Sequence, residues 1–90
     1  MKKTIWKYKL DKNLHVDKLL ELPEGSNPVK VAIQDGWVCV WFCVLSDAPK
    51  ENRLFYVTGT GDEVPLKDSY VGSTSTNNES LQWHVWERNT

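Results

Sequence analysis

The sequence predicts an all-β fold, a small antiparallel sandwich or partly open barrel of six to seven short strands. Three observations support this prediction. Short segments alternate between apolar and polar residues, turn residues separate them, and one pair of such segments flanks an Asp-Gly dipeptide. A chain of 90 residues is the length of one domain, so we predict a single β domain over residues 1–90.

The first predicted strand covers residues 4–10, where Trp6 and Tyr8 alternate with Lys7 and Lys9. The next segment, residues 14–22, is ambiguous. Part of it suits a short helix, but residues 23–28 close it with two prolines and a glycine after barely two helical turns. We therefore predict a strand there.

A hairpin is predicted around Asp35-Gly36, between the strands of residues 29–34 and 37–45. Asp-Gly suits a type I′ turn because both central residues of that turn need a positive φ. This is the strongest local signal in the chain.

The second strand of this hairpin is apolar on both faces. Trp37 and Trp41 lie on one side with the two cysteines, while Val40 and Phe42 lie on the other. Such a strand must be covered twice. The second cover would be a folded-over sheet or another copy of the protein, so we expect a homo-oligomer, most often a two-fold dimer.

The remaining strands are predicted at residues 53–58, 69–74 and 80–88, and Pro65 excludes a central strand around it. The last strand is the most informative because its two faces differ. Leu81, Trp83 and Val85 share one face, and the other face carries Gln82, His84, Trp86 and Arg88.

Charge and hydropathy exclude several classes of protein. Lys and Arg total 11 and Asp and Glu total 12, a net charge of −1, which argues against both a nucleic-acid binder and an acidic DNA mimic. The longest apolar run is too short to span a bilayer as a helix, and Lys2 and Lys3 are followed by no apolar signal segment. We expect a soluble intracellular domain with neither membrane nor nucleic acid as a partner, and interpret the N-terminal lysines as the solvated side of an edge strand.

The cysteines and histidines predict no chemistry of their own. Cys39 and Cys43 lie roughly 13 Å apart along one strand, too far for a disulfide, and their spacing does not match a zinc knuckle. We expect them to be small buried residues on the core face, in a reducing cytoplasm. His15 and His84 belong to no catalytic or metal-binding pattern, so we predict no catalytic residue, no metal and no cofactor.

Two groups of residues are candidates for binding a ligand. The polar face of the last strand offers a stacking plane, two hydrogen-bonding groups and a guanidinium, which suit a nucleobase and a phosphate or a partner protein; the alternative is the solvent side of an edge strand. The Gly-Thr-Gly-Asp segment could form an anion-binding nest, or a plain turn. With a second guanidinium the candidate residues are Arg53, Gly59, Thr60, Gly61, Asp62, Gln82, His84, Trp86 and Arg88.

An ordered set of short motifs gives the chain a family resemblance. The set comprises Thr-Ile-Trp-Lys-Tyr at residues 4–8, Leu-Pro-x-Gly at 22–25, the strand and turn at 31–36, the strand with Cys39 and Trp41, Arg53-x-Phe55 with Gly-Thr-Gly at 59–61, Tyr-Val-Gly at 70–72 and Trp-His-Val-Trp-Glu at 83–87. In this order the motifs resemble a family of small uncharacterised phage and prophage proteins. The chain departs from that family at Asp62, where a His is common. The resemblance implies a viral accessory protein acting in the cytoplasm of the infected host.

The hypothesis we favour is a small binding protein without catalysis. It would sequester a host immune signal, such as a cyclic or ADP-ribose-type nucleotide, in a pocket at a subunit boundary. The alternative is a protein–protein inhibitor of a host defence enzyme or nuclease. An enzyme is the least favoured, because Asp62 and Glu63 would face opposite ways on a strand.

Overall fold

The computed structural model describes residues 2–10, 13–76 and 80–90, which form two antiparallel sheets facing each other. The three-stranded sheet has the order β1-β4-β3 and the four-stranded sheet the order β2-β5-β7-β6. The strands are β1 (Lys3–Lys9), β2 (Lys18–Pro23), β3 (Asn27–Gln34), β4 (Trp37–Leu45), β5 (Lys50–Gly59), β6 (Ser69–Ser75) and β7 (Gln82–Arg88). The predicted all-β sandwich of antiparallel strands is confirmed, and the sheets do not close into a barrel. None of the described residues belongs to a helix that is long and apolar enough to cross a membrane.

The Asp-Gly hairpin has the predicted geometry. Asp35 and Gly36 have φ values of 53° and 78°, as a type I′ turn requires. Gln34 consequently pairs with Trp37, and β3 and β4 continue as antiparallel neighbours from there.

The core lies between the sheets and is centred on an aromatic cluster. Phe42 of β4 contacts the Tyr8 ring at a centroid distance of 5.6 Å and the Phe55 ring at 5.5 Å, both edge to face. The inward side of β4 is fully apolar because every second residue from Val38 to Val44 points into the core. The buried core cluster is Leu10, Leu20, Leu22, Val38, Val40, Phe42, Val44, Phe55, Val57 and Val85.

The other side of β4 faces away from the second sheet. The prediction that both thiols lie on the core face is wrong, because Cys39 and Cys43 alternate with the core residues and point outward. Cys39 is nevertheless fully buried, and Cys43 is half-buried. Among the described residues, the second sheet covers one face of β4 only, so the predicted second cover from within the chain is not found.

Several predicted strands differ in extent from the structure, and two of these differences have a visible cause. Residues 14–22 form a strand only from Lys18 onward, since His15 has a φ of 59° and donates its backbone N–H to Val57 O at 2.8 Å. That bond ties the segment before β2 to β5. In β3, a bulge between Pro28 and Lys30 removes Val29 from the alternation.

The interpretation of the last strand as an edge strand is wrong. β7 lies between β5 and β6, so its outward side chains have a neighbouring strand on each side. By contrast β1 is an edge strand, and Lys7 and Lys9 point away from the core as predicted.

Gly72 lies where β6 of one sheet packs tightly against β3 of the other. A Cβ atom at this position would lie 2.7 Å from Val31 Cγ2, on the facing strand β3. Because this contact is too short, we expect Gly72→Ala to lower the free energy of unfolding by about 1–3 kcal/mol. Urea denaturation measures the change. In a Val31→Ala background the same substitution should cost clearly less, and an equal cost in both backgrounds would show that the clash is not the cause.

Candidate functional site

The outer face of the four-stranded sheet brings most of the predicted ligand-binding residues together; we call it the β7 face. Its side chains lie in two rows across three strands, set by the strand register. One row is Tyr56–Trp86–Tyr70 and the other is Thr58–His84–Ser73. The loops at residues 13–17 and 60–68 add side chains above these rows. The full set is His15, Asp17, Tyr56, Thr58, Thr60, Asp62, Asp68, Tyr70, Ser73, His84, Trp86 and Arg88.

His84 is held by both of its ring nitrogens. Nε2 lies 2.8 Å from Thr60 Oγ1 and Nδ1 lies 2.7 Å from Ser73 Oγ. A neutral imidazole has one donor and one acceptor nitrogen, and a hydroxyl can serve either. The two hydroxyls therefore fix the orientation of the ring.

The two rows also fix the indole of Trp86. Its Nε1–H donates to Thr58 Oγ1 at 3.0 Å, and its ring packs edge to face against Tyr70 at a centroid distance of 5.4 Å. Tyr70 itself is 58% exposed. The Tyr70 ring is thus an exposed aromatic surface on this face, and an oriented indole packs beside it.

Arg88 is already paired with carboxylates. Its Nε donates to both oxygens of Asp17, at 2.9 and 3.0 Å, and its Nη1 lies 3.5 Å from Asp68 Oδ2. The guanidinium also lies over the Tyr56 ring at 4.5 Å from the centroid. The hydrogen bond with Asp17, above all, raises the pKa of Arg88.

Tyr56 and Asp68 form the buried base of the β7 face. Tyr56 donates its hydroxyl to Asp68 Oδ2 at 2.5 Å, and Asp68 Oδ1 accepts the backbone N–H of Asn89 at 3.0 Å. Burial, followed by this hydrogen bond and the carboxylate charge, raises the pKa of Tyr56 to about 12. The hydroxyl donated by Tyr56 lowers the pKa of Asp68, so the pair is a phenol and a carboxylate at neutral pH.

The Gly-Thr-Gly-Asp segment forms a closed turn. Asp62 Oδ2 accepts the backbone N–H of Gly59 at 2.8 Å and lies 2.9 Å from His15 Nε2, while Gly61 takes a φ of 91°. The His15 hydrogen bond and then the Gly59 N–H lower the pKa of Asp62. The Asp62 carboxylate thus already accepts the hydrogen bond that an anion-binding nest would offer to a ligand.

The structure does not bring Arg53 together with the candidate residues of the β7 face. This residue lies on the other side of the sheet, at the rim of the core, where it binds Glu87 through two hydrogen bonds of 2.7 Å and donates to Ser26 O. Residue parity explains this, because Arg53 alternates with the outward residues Leu54 and Tyr56 on β5. Gln82 lies on the β7 strand opposite Ser75, at the end of the face away from Arg88.

Several residues of the β7 face are missing from the sequence-based prediction. Tyr56 could have been found, since it shares its parity along β5 with Thr58 and faces the polar side of β7. No local signal identifies Asp17, which is 71 residues from Arg88 in the chain, or Asp62 as the partner of His15.

The described part of the chain contains no group of three or more His, Cys, Asp or Glu residues placed to hold a metal ion.

Comparison with known proteins identifies one family. The comparison with curated proteins found no match, and neither did the comparison with solved structures. A family model described as a domain of unknown function, DUF7352, matches residues 1–90. The chain therefore belongs to the DUF7352 family.

Proposed function

We propose that this protein is a non-catalytic binding protein whose β7 face takes a small nucleotide. The observation that carries the proposal is the ordered arrangement of an exposed aromatic ring, a doubly held imidazole and a guanidinium on one face. Binding sites recognise nucleotides through stacking and a few fixed polar groups, and their polar groups are most effective when already oriented. The base would lie against Tyr70 beside Trp86.

The phosphate would take the place of Asp17 on Arg88. Asp17 lies in the connection before β2, outside any strand, and its side chain is 37% exposed. A phosphate offers the same paired oxygens to a guanidinium as a carboxylate does. Asp17 therefore acts as an internal competitor that ligand binding displaces, which requires residues 13–17 to shift.

The biological role follows from the resemblance to phage proteins and is part of the proposal. A protein that binds a nucleotide without converting it lowers the free concentration of that nucleotide in proportion to its own abundance. In an infected bacterium this would silence a defence pathway that depends on a nucleotide signal. A domain of this size has few side chains to spare for the walls of a pocket. A second copy of the chain, packed against the β7 face, would supply the missing wall.

The experiment is a calorimetric titration of nucleotides against Asp17→Asn. We expect this variant to bind tighter than the wild type, because the amide no longer neutralises Arg88. A cyclic dinucleotide, a mononucleotide and ADP-ribose are the probes, screened first by thermal shift, where a ligand at 100 times its Kd stabilises the folded state by about 2.7 kcal/mol.

The matched control is Glu63→Gln, which makes the same charge change on an exposed residue of the 60–68 loop. Its affinity for the nucleotide should exceed that of the wild type only by the small, nonspecific gain that comes from losing one negative charge. If both variants gain equally, Arg88 does not hold the phosphate. If no nucleotide shifts the melting temperature of any variant, the proposal fails.

A second candidate function is inhibition of a host protein. Apolar side chains flank the polar network on its two loops, namely Leu14, Val16 and Leu66, and all three are exposed. A polar centre with an apolar border is typical of protein interfaces as well. This function would be favoured by a host protein that co-purifies in a stoichiometric complex. The Leu66→Ser variant should lose that host protein, and no nucleotide should displace it from the wild type.

A further inference from the structure

The outer face of the three-stranded sheet carries a second set of recognition groups, on the opposite side of the molecule. We call it the lysine–tryptophan face. The register places its side chains in cross-strand rows, since Lys7 and Lys30 both pair with Trp41 from the two flanking strands. Its members are Lys3, Lys7, Lys9, Lys30, Trp37 and Trp41.

The charge of this face is strongly one-sided. At the described outward positions of β1, β3 and β4 there are four lysines and no aspartate or glutamate. The whole chain has a net charge of −1, so the remaining surface is acidic. The near-neutral charge of the whole chain, which argues against a nucleic-acid binder, therefore conceals a basic face.

The lysine ammonium groups lie on the indole rings. Lys9 Nζ is 5.6 Å from the centre of the Trp37 ring and Lys30 Nζ is 5.3 Å from that of Trp41. Lys7 crosses β4 completely, because its Nζ donates to Gln34 Oε1 on β3. Cationic side chains therefore cover the apolar side of β4 in place of a second sheet.

A second copy of the chain is a poor occupant of this face. Two such faces packed together would place eight ammonium groups in one interface without a compensating carboxylate from either face, and like charges across an interface are unfavourable. A lipid surface also fits poorly, because both indoles lie within strand β4 and not on a loop that could insert, and Trp41 is half-buried. An occupant with its own negative charges and flat rings matches both properties of the face.

We propose that the lysine–tryptophan face binds single-stranded nucleic acid. Bases would stack on Trp37 and Trp41, which lie roughly 13 Å apart along β4 and so receive two different bases. Each ammonium group would move from the indole to a neighbouring phosphate as the base takes its place. Flat aromatic residues on a sheet with lysines around them are a recurrent design for binding single strands with little sequence preference.

Fluorescence anisotropy with a labelled oligothymidylate of about 12 nucleotides tests the proposal. We expect saturable binding whose log Kd rises with log salt concentration at a slope of about 2–3, since each phosphate that a lysine neutralises on a single strand contributes about 0.7 through counterion release. Lys7→Glu combined with Lys30→Glu should weaken binding by about tenfold or more and flatten the slope. Lys18→Glu combined with Lys67→Glu is the charge-matched control and should weaken it far less, because both residues lie outside the face.

An abasic oligonucleotide of the same length separates stacking from charge. We expect it to bind about tenfold more weakly or worse, because base–aromatic stacking is lost. Equal affinity for the abasic strand, or for poly-glutamate, would overturn the proposal in favour of an acidic partner. A dimer in light scattering that buries this face would overturn it as well, as would equal losses from the two double variants. The wild-type salt slope and the abasic comparison stand even if a variant fails to fold.

The two proposals fail separately. Asp17→Asn and the nucleotide titration probe the β7 face, while the oligonucleotide experiment probes the opposite sheet. Loss of one binding activity leaves the other intact.

Discussion

Phe42→Ala should lower the free energy of unfolding by about 3–5 kcal/mol, the largest effect we expect from a single substitution. Phe42 is fully buried and its ring contacts Tyr8 of the same sheet and Phe55 of the facing sheet. Its removal opens a cavity between the sheets that neither neighbour can fill without leaving its edge-to-face contact. Because small domains have a stability of only about 5–15 kcal/mol, the variant should be close to unfolding at room temperature.

Urea denaturation followed by tryptophan fluorescence and by circular dichroism measures this effect. Val29→Ala is the control, since Val29 is an apolar residue displaced into the β3 bulge and 56% exposed. It should change stability by about 0.5 kcal/mol or less. A loss below 1 kcal/mol for Phe42→Ala, on the same scale as the control, would mean that the sheets do not pack around this ring.

Tyr56→Phe should lower the free energy of unfolding by about 1–3 kcal/mol, because a buried acceptor loses its donor. The phenylalanine keeps the ring beneath Arg88, so the substitution removes the hydroxyl and little else. The loss should also reach the β7 face, since Asp68 would lose its hydrogen bond from Tyr56 while keeping that from Asn89 N. The pKa of Asp68, measured by NMR, should therefore rise toward its ordinary value.

The pH dependence of this variant has a definite sign. The folded-state pKa of Tyr56, about 12, lies above that of an unfolded tyrosine, near 10. The unfolded chain therefore loses this proton first as the pH rises. The contribution of the Tyr56 hydroxyl to the free energy of unfolding is fully present below about pH 10 and is lost toward pH 12. The difference in stability between wild type and Tyr56→Phe should narrow over this range. A difference that stays constant would show that the hydroxyl titrates normally in the folded protein.

The elements with a local signal could be predicted from the sequence. The Asp-Gly turn sets the register of β3 and β4, and parity along β7 correctly separates Val85 from His84 and Trp86. Period-two alternation determines which side of a strand a residue occupies. It does not determine which side faces the core when both sides are apolar, so Cys39 was assigned to the wrong face.

The pairing of distant residues could not be predicted in the same way. Asp17 reaches Arg88 from a segment that the His15 N–H ties to β5, and nothing in the spacing of these residues indicates that contact. The lysine–tryptophan face depends on the order β1-β4-β3, which places β1 and β3 on either side of the tryptophan strand. Net charge averages over such faces and therefore conceals them.

The indole N–H region of a ¹H–¹⁵N NMR spectrum tests the central claim, that this protein acts by binding on two separate faces. The chain has five tryptophans; Trp6 and Trp83 pack against the core, Trp86 lies on the β7 face, and Trp37 and Trp41 on the lysine–tryptophan face. We predict that a nucleotide from the panel moves the Trp86 signal, and that oligothymidylate moves those of Trp37 and Trp41 while Trp86 stays in place. Spectra in which no indole signal on either face responds to any of these ligands would contradict the account.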